Sequence, residues 1–93
     1  MQRKILVLND RDNVGVLLES AEKGDRCMYM DRPIEVMESI EFAHKIAIVD
    51  IPEKDWVIKY GEPIGYAITN IKKGQWIHTH NMACDRGKQK EAF

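Results

Sequence analysis

Several features that would assign a protein to a functional class are scarce or missing here. The two cysteines, Cys27 and Cys84, lie far apart and form no CxxC pair. With no export signal ahead of them, they are expected as free thiols rather than a bridge. Long hydrophobic runs are absent. After Met1-Gln2-Arg3-Lys4 only four apolar residues follow, too few for a signal peptide, and nothing approaches the roughly 20 apolar residues of a membrane span. Neither sign of charge dominates, since 14 Lys and Arg face 15 Asp and Glu for a net charge of −1. No basic stripe is visible, which argues against a nucleic-acid footprint. A chain of 93 residues makes one small domain with a core but without the bulk to wall off a deep active site. A soluble, cytoplasmic protein that is not an autonomous catalyst is expected, with no membrane or nucleic-acid partner.

Helical periodicity is also scarce. Residues 4–8, 14–18 and 46–51 are short apolar or β-branched runs of strand length. Asn9-Asp10-Arg11-Asp12-Asn13, Lys23-Gly24-Asp25, Pro52-Glu53-Lys54-Asp55, Tyr60-Gly61-Glu62-Pro63 and Lys72-Lys73-Gly74 punctuate them as turns. The spacing predicts a mainly β domain over residues 1–84 with at most one short helix, for which residues 16–22 offer the only weak stripe. Residues 85–93 are polar and aperiodic, and read as a flexible end or a partner-binding arm.

One segment occurs twice. Residues 47–57 align with residues 67–77 at a shift of 20, and the Ala, Ile, Ile and Trp positions coincide. A fainter copy lies at residues 17–27, with Gly24 in the place of Gly74 and Ala21 in the place of Ile71. Each copy reads as strand, polar turn, strand. Trp56 and Trp76, at matching positions, are expected as core or interface anchors.

The second full copy runs into His78-Thr79-His80-Asn81. If the strand continues, His78 and His80 share a face and Asn81 follows at its rim. Two imidazoles so placed suit one divalent ion or one substrate carboxylate, with further ligands from elsewhere; hydrogen-bonded histidines at a subunit contact are the alternative. His44 and Lys45 are adjacent, so on a strand only one of them faces a given pocket. Lys45 would hold an acidic group as a point charge, or His44 would act as acid or base. Asp12 and Asn13 suit a turn or cap as readily as a ligand. Gly61 and Gly65, with Pro63 between them, read as shaping backbone.

Four ordered motifs, Asp12-Asn13-Val14-Gly15-Val16, His44-Lys45-Ile46-Ala47-Ile48, Ile58-Lys59-Tyr60-Gly61-Glu62-Pro63-Ile64-Gly65 and His78-Thr79-His80-Asn81, resemble the amino-terminal SAF domain of altronate and galactarate dehydratases. The resemblance implies a β-clip fold. It also implies a small subunit or domain that works with a large catalytic partner to remove water from an acidic sugar, with iron(II) or a similar divalent metal shared with or held by that partner. A sister branch, sulfolactate sulfo-lyase, has the same small and large subunits and expels sulfite to leave pyruvate. A stand-alone module that binds a carbohydrate or a protein is the non-catalytic alternative, and pairing between copies of the chain stays open. Carried over by position, His44, Lys45, His78 and His80 are the candidate catalytic residues, and His78 and His80 the candidate metal ligands. Asp12, Asn13 and Asn81 are the candidate substrate contacts. The sequence departs from the family at Ala43 and Lys54, where turn glycines are usual, so those two turns are where local geometry is expected to differ.

Overall fold

Four turns of one design organise the chain. The computed structural model describes residues 1–84. Within it, backbone N–H groups of Asp25, His44, Asp55 and Gln75 donate to the carbonyls of Glu22, Glu41, Pro52 and Lys72 at 2.9–3.1 Å. The residue before each donor has positive φ: Gly24 at 93°, Ala43 at 74°, Lys54 at 79° and Gly74 at 93°. That is the requirement of a type II turn, which glycine meets without steric cost. Ala43 and Lys54 therefore adopt the same left-handed backbone as the glycines they replace. The turn ending at His44 is a fourth copy of the repeat, which the sequence hides because its glycine is missing.

Ten short strands connect these turns: β1 Gln2–Arg3, β2 Ile5–Leu6, β3 Val14–Leu17, β4 Arg26–Tyr29, β5 Arg32–Glu35, β6 Lys45–Ala47, β7 Trp56–Lys59, β8 Glu62–Ala67, β9 Trp76–Ile77 and β10 Met82–Ala83. They form three sheets in the orders β1-β4-β5, β10-β8-β7 and β2-β3-β6-β9. Among the described residues only β1 and β4 pair in parallel. The β4–β5 and β7–β8 hairpins both close through two residues of positive φ, Met30 and Asp31 in the first and Tyr60 and Gly61 in the second, as a type I′ turn demands. No helix forms among the described residues, and the helical stripe at residues 16–22 is not realised. Val14, Gly15 and Val16 pair with β6 while Val16 and Leu17 pair with β2, so ladders on both sides take the backbone groups a helix would need. The result is the small all-β domain expected of a β-clip.

The chain folds as two related halves, each with its own core. Leu17, Ala21, Cys27, Ile34, Val36, Ile40 and Ile46 in one core correspond in order to Ala47, Ile51, Val57, Ile64, Ala67, Ile71 and Ile77 in the other. The offset is 30 residues up to the Ile34 and Ile64 pair and 31 beyond it. The extra residue is a bulge in β8, where Val57 pairs with Gly65 but Ile58 pairs with Pro63. β6 serves both halves, pairing with β3 in one and β9 in the other. Cys27 occupies the position of Val57 and is buried, so burial pushes its thiol up to about 11. It packs as a small apolar residue, and both cysteines are free.

The first half is tied down at Asp25. Its carboxylate accepts from Arg3 Nε at 2.9 Å, from the Glu22 backbone at 2.9 Å and from the Met1 ammonium at 3.2 Å. The Arg3 contact, followed by the Glu22 N–H, holds this carboxyl well below the usual carboxylate range. A depressed folded-state pKa contributes stability that is present above the ordinary Asp range and is lost as pH falls through the lowered value. The Asp25→Asn chain is therefore expected to melt below wild type at pH 7, and the gap should narrow steadily below about pH 4. Thermal melts across that range check it. A gap that stays constant would place Asp25's contribution outside its charge.

Candidate histidine site

All three histidines of the chain, His44, His78 and His80, gather on one tryptophan. His44 ends the second turn and precedes β6, so strand alternation puts it on the Ile46 side of the sheet. Ile46 pairs with Trp76, which brings the indole to the same face. His44 and Trp76 have ring centroids 5.7 Å apart, Trp76 and His78 5.4 Å, and His44 and His78 5.9 Å, with planes parallel within 9°. Three nearly equal separations exclude a column, in which the outer rings would stand twice as far apart. The rings are instead tiled side by side and offset, an arrangement aromatic quadrupoles favour. His80 leans on the indole at 4.8 Å and 42°.

The strand does not carry the histidines. β9 ends at Ile77, and residues 78–81 form a turn closed by the Asn81 and Met82 N–H groups, both donating to the His78 carbonyl, at 3.2 and 3.0 Å. The expectation that His78 and His80 share a strand face is corrected on this point. It is the turn that folds His80 back so that both imidazoles reach Trp76. Asn81 builds that turn. Its Nδ2 donates to the Trp76 carbonyl at 2.8 Å and its Oδ1 accepts from the His78 N–H at 3.0 Å, bracketing Ile77. The side chain is 5 % exposed, with both ends of its carboxamide engaged by the protein.

Asp12 and Asn13 do similar work away from the histidines. Asp12 accepts from the Gly61 N–H at 2.7 Å and the Asn9 N–H at 3.3 Å, while Asn13 donates to the Trp56 carbonyl at 2.9 Å and accepts from the Ile58 N–H at 2.7 Å. Together they fasten the β7–β8 hairpin to the start of β3. Lys45 follows His44 but stands on the opposite face, paired with Val16 and Ile77. Burial, and then the positive charge of Lys59, pull its pKa down while the Cys84 thiol pulls the other way. Of the adjacent pair, only His44 joins the cluster.

His78 and His80 are exposed and His44 is half-buried, so among the described residues the cluster opens outward. The His44 Nδ1 and Trp76 Nε1 atoms are buried without a hydrogen-bond partner among the described residues, and buried polar atoms so left usually await one. Among those residues no three His, Cys, Asp or Glu side chains gather closely enough to hold a metal ion. Imidazole nitrogen suits iron, zinc and related ions, so this donor set fits a metal only as part of a site whose remaining ligands lie outside it.

Trp76 is the residue the sequence undervalued. It matches Trp56 in the repeat, yet Trp56 is 49 % exposed and only Trp76 has histidines around it. The available signal was its place two residues before His78. Among the described residues no helix is long and apolar enough to cross a membrane.

Comparison with known proteins agrees with this architecture. The family model described as the altronate/galactarate dehydratase SAF domain matches residues 3–85. An altronate dehydratase of Bacillus subtilis (strain 168) is 39% identical over 79 residues, covering 85% of this chain and 16% of the relative. The galactarate dehydratase (L-threo-forming) of Escherichia coli (strain K12) is 37% identical over 70 residues, covering 75% of this chain and 13% of the relative. The chain thus spans about a sixth or less of the length of these dehydratases. The (2R)-sulfolactate sulfo-lyase subunit alpha of Chromohalobacter salexigens is 38% identical over 88 residues, covering 86% of this chain and 94% of that subunit. With the match running through nearly all of the described fold, the chain belongs to the altronate/galactarate dehydratase SAF domain family.

Proposed function

We propose that this chain is the small subunit of a cytoplasmic sugar-acid dehydratase, acting on altronate- or galactarate-type acids, and that it brings its histidines to an active site completed by a large subunit. The observation that carries this reading is the convergence of every histidine in the chain on one half-buried tryptophan, with His78 and His80 exposed beside it. Such a cluster has chemistry to offer and, among the described residues, too few metal-ligating side chains to perform it alone.

The reaction removes a proton from the carbon beside the carboxylate and expels hydroxide from the next carbon. The C–H pair becomes the C=C bond of an enol, the C–O pair leaves with the oxygen and takes up a proton as water, and the enol tautomerises to the 2-keto-3-deoxy acid. Charge builds on the carboxylate as the proton leaves, so cationic or Lewis-acid stabilisation and a base must be placed in advance. A divalent metal, iron(II) in the family resemblance, would supply that stabilisation when bound. His78 and His80 would hold it together with ligands of the large subunit. His44, half-buried with one ring nitrogen unpartnered, is the proton carrier of the set. Asp12, Asn13 and Asn81, whose polar atoms are taken by backbone, act by positioning.

A second reading has its own support, because the chain covers 94% of a sulfolactate sulfo-lyase alpha subunit. In that case the same proton leaves and sulfite departs in place of hydroxide, giving pyruvate. Both readings are tested by purifying the chain with and without a co-expressed large subunit and assaying altronate, galactarate and sulfolactate. Turnover only in the complex supports a subunit role, and the substrate consumed chooses between the two. Full activity from the small chain alone, or no association with a large subunit together with tight sugar-acid binding by the isolated chain, would replace both with an autonomous enzyme or a binding module.

A further inference from the structure

β9 is the edge of its sheet, because β6 occupies its other side. Its outward N–H, that of Trp76, would otherwise have no strand among the described residues to pair with. Glu38 Oε2 accepts it at 3.0 Å. One residue earlier, the Met37 N–H donates to the Gly74 carbonyl at 2.9 Å, so residues 37–38 run as a strap along residues 74–76. The strap comes from the first half of the molecule and ends on the tryptophan that carries the histidines of the second.

We propose that Glu38 is a positioning residue of the histidine site: by accepting the Trp76 N–H on the free edge of β9, its carboxylate fixes the indole against which all three imidazoles are arranged. This rests on reading the histidine cluster as catalytic. A short edge strand of two residues has few ladder bonds to hold it, and at Trp76 the Glu38 carboxylate holds the N–H while the Asn81 carboxamide holds only the carbonyl. An indole free to tilt would carry His44, His78 and His80 out of their tiling, and misplacement by about 1 Å is enough to cost a catalytic site heavily.

The test uses the full chain carrying Trp56→Phe, which leaves Trp76 as its single tryptophan. Three variants separate the acceptor from the charge. Glu38→Gln keeps an oxygen acceptor at the same reach, Glu38→Asp keeps the charge but withdraws it by one methylene, and Glu38→Ala removes both. Trp76 emission with acrylamide quenching, and the proton NMR signals of the three imidazoles, report the tiling directly. Glu38→Gln is expected to match the parent. Glu38→Asp and Glu38→Ala are expected to show red-shifted, more quenchable emission and imidazole signals moved toward free-histidine positions. In the assembled lyase the same two variants should lose about 10- to 100-fold in kcat with KM within about threefold, while Glu38→Gln stays near the parent. Unchanged emission and imidazole signals in Glu38→Ala would overturn the proposal, and so would a Glu38→Gln chain as perturbed as Glu38→Ala. If the spectra behave as expected while no large subunit yields turnover, the structural clamp stands, and both its catalytic purpose and the proposed function fall.

Discussion

Replacing either His78 or His80 by alanine is expected to abolish turnover of the proposed lyase complex while leaving the fold of the isolated chain nearly intact. The two effects separate because the side chains and the backbone at this turn do different work. The hydrogen bonds that hold the turn run through the His78 N–H, the His78 carbonyl and the Asn81 carboxamide, none of which an alanine removes. Each variant forfeits an exposed ring contact with Trp76, and in His78→Ala one with His44 as well, each worth about 0.5 kcal/mol at the low end for aromatic pairs. For a domain of this size each lost contact lowers the melting temperature by about 2–4 °C. Loss of a positioned imidazole from acid–base work or metal holding removes about 10²- to 10⁴-fold in kcat. Steady-state kinetics of the reconstituted complex beside thermal melts of the small chain check both halves. Near-normal kcat in both variants would return these residues to a structural contact.

How far the site could be read in advance follows from the same turn. The His78-Thr79-His80-Asn81 motif names residues that do lie together, and alternation correctly sends His44 and Lys45 to opposite faces. The sequence could not show that the strand stops at Ile77, because the Asn81 carboxamide stops it by capturing Trp76 and His78 backbone groups across Ile77. Nor could it show His44 joining the pair, since that contact depends on Ile46 and Trp76 meeting across two strands thirty residues apart in the chain. Asp12 and Asn13 illustrate the opposite case. Short polar side chains beside a turn usually bond to nearby backbone, and theirs do, although the backbone is that of the distant β7–β8 hairpin.

The fold was legible where turns are written in glycine, proline or Asx residues and obscure where they are not. Gly24 and Gly74 mark two of the four left-handed turns, while the repeat at a shift of 20 rests on its matching Ala, Ile, Ile and Trp positions. The larger duplication, at 30 or 31, is masked by compensation in the cores. Leu17 with Ala21 in one half is answered by Ala47 with Ile51 in the other, and Cys27 by Val57. Each pair keeps the volume while exchanging which member is large, as cores tolerate. Ala43 then removes the glycine that would have marked the turn ending at His44, whereas Pro52 and Asp55 mark the turn at Lys54 without one. The helical stripe at residues 16–22 fails for a related reason. A local pattern of a few apolar residues loses to sheet pairing on both sides, which no single-segment reading can weigh.

Gly74 should be the most costly glycine to replace, and the size of that cost tests the whole arrangement of turn, strap and site. Gly24 and Gly74 share φ of 93°, so an alanine at either pays for left-handed backbone, about 1–2 kcal/mol. The surroundings differ. A Cβ at Gly24 meets nothing within 4 Å, whereas one at Gly74 would collide with the Glu35 carbonyl oxygen and lie 2.9 Å from Met37 Cγ. A carbonyl cannot rotate aside as a side chain can, so the strap of residues 35–38 must lift. Lifting it breaks the Met37-to-Gly74 bond and the Trp76-to-Glu38 bond, at about 1 kcal/mol or more apiece. Gly74→Ala is therefore expected to cost about 4 kcal/mol, a fall of roughly 15 °C or more, against about 5–10 °C for Gly24→Ala. At Lys54 the sign reverses. Lys54→Gly relieves the same backbone strain, offset by about 0.4–1 kcal/mol of added unfolded-state entropy, and should melt slightly above wild type. Thermal melts of the three variants measure the series. Equal losses at Gly24 and Gly74 would show that the strap does not press on the turn, and that Trp76 keeps its histidines without it.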